Sequence, residues 1–153
     1  MTSSLRRFGK GLMISLTFLV GFFAVMQLVP YGRAHSNPPV IAEPAWNHPR
    51  TRELAKRACF DCHSNETKWP WYAKVAPFSW VMARDVEAGR SVMNFSEWTR
   101  PYDLASAAGP EVIRREMPPR SYRLLHEHAH LSDTEKLELA RGLHATFGVP
   151  GKI

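Results

Sequence analysis

Residues 49–63 read PRTRELAKRACFDCH and end in Cys59-Phe60-Asp61-Cys62-His63, a C-x-x-C-H sequence. The stretch has a proline at its opening, strong helix formers inside, and Leu54, Ala55, Ala58, Cys59 and Cys62 along one side. It is therefore expected to form one helix. On such a helix Cys59, Cys62 and His63 stand at i, i+3 and i+4, so all three project from one face. Two thiols at this spacing can add across the two vinyl groups of a porphyrin while the adjacent imidazole ligates its iron, which is c-type haem attachment. A thioredoxin-like pair would want a βαβ pattern around it, and these flanks are helical. A structural zinc site would need a fourth ligand nearby and usually a second C-x-x-C, and neither is present.

Ahead of this motif, residues 11–29 are nineteen uncharged, mostly apolar positions preceded by Arg6, Arg7 and Lys10. As a helix they span roughly 28 Å at ~1.5 Å per residue, against a hydrocarbon core of about 30 Å. The cations before the span keep the N-terminus cytoplasmic and send the rest of the chain outside. A cleaved signal peptide would have a shorter apolar stretch and a small-x-small site after it. The exit here, Gln27-Leu28-Val29-Pro30-Tyr31, is a poor match. An uncleaved anchor in a bacterial inner membrane is expected, with the remainder in the periplasm. That compartment would ordinarily pair two cysteines, so using both for thioethers is consistent with export.

The formal net charge of +6 raises the question of nucleic acid. Three of the 20 Lys and Arg lie in the anchor, leaving 17 against all 14 acids in the exported part. That is an ordinary mixed surface without a basic stretch, and no nucleic-acid partner is expected.

Three regions follow: by composition, residues 1–30 as cytoplasmic N-terminus and anchor and 31–47 as a proline-rich tether, and, by the C-x-x-C-H motif it contains, 48–153 as the haem-binding domain. Val40, Ile41 and Trp46 leave a second role open for the tether, as a strap lying across the domain. Helices are expected at 49–63, 77–92, within 104–116, and at 133–147. The last carries a Ser132/Glu135 capping box, an apolar stripe of Leu139, Leu143 and Phe147, and a Gly148/Pro150 stop. Gly142 inside it marks either a close helix crossing or a tolerated exposed position. No stretch alternates well enough to predict a strand. The fold class is all-α, a small cytochrome c-like helical domain around one covalent haem after a single transmembrane helix. A core this small implies a loosely folded chain without its macrocycle.

For the sixth iron position, Met117 in Glu116-Met117-Pro118-Pro119 is the first candidate. Pro118 drives Met117 out of the helical region, and the two prolines make a stiff ledge from which a thioether can point inward. Sulfur opposite histidine raises the reduction potential, as an electron carrier needs. The rivals are His126, His128 and His130, which alternate in a loop-like segment, and His144 on the last helix. Met82 and Met93 are further thioether donors, and His35 and His48 are expected at the surface. The rings of Lys68-Trp69-Pro70-Trp71-Tyr72, with Trp80 and Trp98, can pack on a porphyrin or simply form core. Arg84, Arg90 and Arg120 can pair with propionates.

The runs CFDCHSNETKWPWY (59–72), the AP, SW, ARDVE and Gly89 positions of 76–89, NFSEW (94–98), and EMPP with Tyr122, Leu125 and His126 together resemble the bacterial haem-binding domain family of small membrane-anchored c-type cytochromes. The resemblance extends to the tether motif PYGRAHSNPP. It implies one covalent haem c held by Cys59 and Cys62, with His63 as proximal iron ligand. The expected function is single-electron transfer to unidentified redox partner proteins, without catalysis at a second site. The alternatives are a haem-based sensor or peroxidase-like protein with an open sixth position, and a haem-binding accessory module of a larger complex.

Overall fold

A computed structural model of the chain describes residues 2–100 and 102–148, with side chains from Arg7 onward. Its elements are α1 (Thr2–Met26), α2 (Pro49–Ala58), α3 (Phe60–His63), α4 (Phe78–Val92), α5 (Ala108–Ile113), α6 (Arg120–Arg123) and α7 (Asp133–Phe147). Short 3-10 turns lie at Trp71–Lys74, Ala105–Ala107 and Glu127–Ala129. The only β pairing among the described residues is an isolated bridge between Ala42 and Glu97. The fold is all-helical, as expected.

The chain forms two compact units. The first comprises residues 1–35 and 70–84, and the second residues 36–69 and 85–153. In the first, residues 7–26 of α1 form a helix long and apolar enough to cross a membrane, and none of that stretch is buried. Apolar side chains point outward all round it, from Phe8 through Leu12, Leu16 and Phe18 to Val25. Within the first unit no described residue buries that surface.

In the second unit, α7 packs on both α2 and α5. The start of α7 is as the sequence dictates. The Ser132 hydroxyl accepts the Glu135 N–H, and the Glu135 carboxylate accepts the Ser132 N–H. Gly148 closes the helix in the left-handed region (φ 83°), while Pro150 lies outside the described residues. Gly142 is a crossing point: a Cβ there would lie 2.1 Å from the Thr51 hydroxyl oxygen on α2. Leu54, Leu139 and Leu143 are buried where the two helices meet.

An aromatic cluster forms the other half of this core. Phe95 sits 5.2 Å from Trp46, 5.4 Å from Phe60 and 5.9 Å from Trp98, measured between ring centres, and Phe147 stacks on Trp98 at 4.8 Å. Trp46 takes part because residues 36–47 run across this unit as a strap. The Ile41 and Ala42 N–H groups donate to the Ser96 carbonyl, and the Trp98 N–H donates to the Ala42 carbonyl. Arg52 forks onto the Glu43 carboxylate, which also accepts the Trp46 indole N–H. Of the strap's three apolar candidates only Trp46 is drawn in; Val40 and Ile41 are exposed.

Candidate haem-attachment site

The expected continuous helix over 49–63 is broken at Cys59. α2 begins with His48 as its cap, whose Nδ1 accepts the Arg50 N–H, and ends at Ala58. Cys59 leaves helical geometry (φ −124°, ψ −33°), and α3 restarts at Phe60. The physical reason is Phe60, which is buried against Trp46 and Phe95 on the core side. The Cys59 carbonyl still accepts the N–H groups of both Cys62 and His63, at 3.1 and 2.9 Å. One tight turn therefore carries both thiols and the imidazole.

The two cysteines are free and half-buried. Burial pushes the thiol of Cys59 up to about 12, with Cys62 adding to the effect. Burial also pushes Cys62 up to about 12, helped by the carboxylates of Asp61 and Asp85 and opposed by Arg90. Both are neutral thiols at physiological pH. His63 Nδ1 lies 3.1 Å from the Met93 carbonyl. A carbonyl only accepts, so Nδ1 carries the proton and Nε2 is the nitrogen left with a lone pair. Burial lowers the His63 pKa, partly offset by the Met93 and Gly89 carbonyls, and so favours the neutral ring that binds metal. Two unpaired thiols and an imidazole with Nδ1 fixed on a backbone carbonyl are a donor set that fits covalent haem.

The surroundings hold this turn from several sides. α4 presses against it so closely that a Cβ on Gly89 would lie 2.4 Å from the Cys62 carbonyl oxygen. The Phe95 N–H donates to the His63 carbonyl at 2.7 Å. The Ser-Asn-Glu-Thr run is a polar clasp. Asn65 donates through its backbone to Ser96 and through its amide to Pro39 and Glu97, and accepts from Asn94. Arg90 donates to the Ser64 carbonyl, the Thr67 hydroxyl and Asn37, so its guanidinium is engaged in the clasp. Asp61, 8% exposed, accepts the Lys68 N–H on Oδ1 and faces both the Tyr122 hydroxyl and His128 Nε2 on Oδ2. None of Met93, Gly89, Asn65 or Tyr122 is singled out as part of an attachment site by spacing alone, because their partners are 26 to 61 residues away.

Met117 lies apart from these donors in sequence. α5 ends at Ile113, and Arg115 takes the left-handed conformation (φ 62°), so the helix stops before the prolines. Met117, 39% exposed, then lines a cavity of about 320 Å³ with Val112, Pro118, Leu124, Leu131 and Arg123. Cys59, Cys62 and His63 do not line that cavity.

The histidine rivals separate clearly. His126 is buried, holds the Tyr122 carbonyl at 2.8 Å through Nδ1, and stacks on the Tyr122 ring at 3.8 Å. His130 holds the Arg123 carbonyl, and His144 is exposed on α7. Among the described residues, no group of three or more His, Cys, Asp or Glu side chains is placed to hold a metal ion. Of the aromatic rings, Trp98 joins the core, whereas Trp71 is 81% exposed.

No curated protein and no solved structure matches this chain. A sequence model described as the haem-binding domain matches residues 21–145, which takes in α2 to α6, the strap, the whole attachment turn and most of α7. With the haem-competent donor set inside that span, the chain belongs to the haem-binding domain family and binds haem.

Proposed function

We propose that this protein is a membrane-anchored monohaem c-type cytochrome that passes single electrons in the periplasm, an electron carrier rather than an enzyme. α1 would cross the bacterial inner membrane once, with the basic N-terminus inside. Cys59 and Cys62 would carry the porphyrin as thioethers, His63 Nε2 would bind the iron, and Met117 would be a further protein ligand to it. The haem would supply one-electron chemistry when bound; Cys59, Cys62 and His63 would hold and orient it. The single observation that carries the reading is the His63 ring, anchored by Nδ1 on the Met93 carbonyl beside two unpaired thiols. Its redox partners would be proteins that reach the haem edge.

The test is the intact mass and the absorption spectrum of protein matured in a host competent for cytochrome assembly. One haem of added mass that survives denaturation is expected, and is lost in Cys59→Ser/Cys62→Ser. A mass equal to the bare chain would refute covalent attachment.

A second reading, a sensor or peroxidase-like protein with an open sixth position, is favoured by one observation. Met117 is partly exposed and lines a cavity to which the attachment turn does not contribute. Met117→Ala separates the two. Loss of a sulfur-to-iron charge-transfer band supports the carrier, while a high-spin wild-type spectrum with ready carbon monoxide binding supports the sensor.

A further inference from the structure

The chain leaving α1 does not swing free within the first unit. Gln27, the residue after the helix, makes a two-bond amide pair with Ala76: its Nε2 donates to the Ala76 carbonyl at 3.0 Å, and the Ala76 N–H donates to its Oε1 at 3.1 Å. Arg33 donates back to the Gln27 carbonyl at 2.6 Å. Gly32 takes a left-handed conformation (φ 74°) and lies so close to α4 that a Cβ would fall 2.1 Å from the Ser79 carbonyl oxygen. His35 Nε2 meets the Ala73 carbonyl at 3.1 Å. Residues 73–79 are thus fastened at three places to the exit of α1, the first of them one side chain away from its last turn.

That segment exposes what a water-facing surface would hide. Trp71 is 81% exposed, Phe78 49% and Val81 48%, and Lys74, three residues after Trp71, is exposed as well. A tryptophan ring offers roughly 150–250 Å² of largely apolar surface. Rings with a polar edge beside a cation suit the boundary between headgroups and acyl chains, where Trp and Tyr collect at the ends of membrane spans. A lysine there can lay its stem along the apolar layer and keep its charge among phosphates. Position selects the lipid surface as occupant, because the hydrogen bonds to Gln27 hold these side chains at the level where α1 leaves the bilayer.

We propose that Trp71, Phe78 and Val81 form an interfacial platform that seats in the headgroup–acyl boundary beside the exit of α1, giving the protein a second contact with its membrane. The proposal rests on the reading that α1 spans the bilayer.

The test uses the full, haem-loaded chain in vesicles of phosphatidylethanolamine and phosphatidylglycerol, with nitroxide labels at Trp71→Cys, Phe78→Cys and, as a reference inside the span, Leu16→Cys. Phe78→Cys retains Trp71, so the platform is read even where loss of the indole weakens it. Label collision with oxygen and with a water-soluble nickel complex reports depth. At positions 71 and 78, nickel accessibility about threefold or more below that of the free label, with oxygen favoured, is the expected result. Labels at 71 and 78 that are fully hydrated while the label at 16 is buried would overturn the platform and leave the span intact. A label shielded from both probes would place a protein surface there instead, and also overturns it. A hydrated label at 16 would overturn the span itself.

Discussion

The hydroxyl of Tyr122 donates to Oδ2 of Asp61, the residue directly before Cys62 and His63 in the attachment turn. Between Met117 and Tyr122 stand only Pro118, Pro119 and the first residues of α6. Two fixed φ angles and a helical turn transmit position well. The bond therefore ties the methionine ledge to the turn that carries the thiols. Tyr122→Phe leaves a buried carboxylate short of one donor, at a cost of about 2 kcal/mol in denaturant unfolding. On the proposed covalent attachment and Met117 ligation, haem read by mass should be retained, and the methionine-ligated share of the iron spectrum should fall. An unchanged spectrum would show that the two segments are not coupled.

Gly142→Ala tests the helix crossing. On an exposed helix face the change would stabilise by roughly 1 kcal/mol through propensity. Against Thr51 the new methyl has no room, and a net loss of about 1–3 kcal/mol is expected. Adding Thr51→Ala removes the two nearest atoms and should restore part of it; thermal unfolding of the three variants measures this.

The thiols give a titration that reads haem attachment. Without haem, both have pKa values raised from about 9 to about 12. The folded state then holds protons that the unfolded state releases, so this contribution is complete below pH 9 and is lost as pH rises toward 12. Haem-free chain that keeps this fold should lose melting temperature over that window and alkylate slowly at neutral pH, whereas a loosely folded one should alkylate at the rate of an exposed thiol. Thioethers do not titrate, so loaded protein should show neither behaviour.

At the acid end, the Ser132 N–H and the Arg57 guanidinium push Glu135 down to about 2. Its folded value lies below its unfolded one, so the contribution is present above about pH 4.5 and disappears as pH falls through 2. Glu43 and Asp133 are also held low by Arg52 and Lys136, so the whole acid slope is a sum. The difference between wild type and Glu135→Gln isolates one member: the variant should lose less melting temperature between pH 4.5 and 2.

Several features were readable because they are local. The capping box of α7 needs only Ser132 and Glu135, three residues apart, and it stands where the spacing predicts. The apolar run of α1 needs only a count. C-x-x-C-H likewise proposes a chemistry in five residues; the haem-binding domain match supports the haem, and covalent attachment awaits the mass measurement. Met117 was legible as a ledge residue, yet α5 stops four residues ahead of it for a reason the prolines do not supply, the left-handed Arg115.

What the chain's own order determined is therefore the set of short-range choices: helix caps, a membrane-length apolar segment, two thiols and an imidazole on one turn. Only the tertiary structure decided which way each side chain was used. Trp98 packs against Phe95 while Trp71 faces outward, and Gly142 is a crossing point rather than a tolerated exposed glycine. His63 finds its carbonyl at Met93, and Asp61 its phenol at Tyr122. Hydrogen bonding and helical periodicity act over three or four residues and leave a pattern in the sequence. Burial and pairing between segments 30 to 61 residues apart depend on how the chain closes on itself, and that is set by the packed core as a whole.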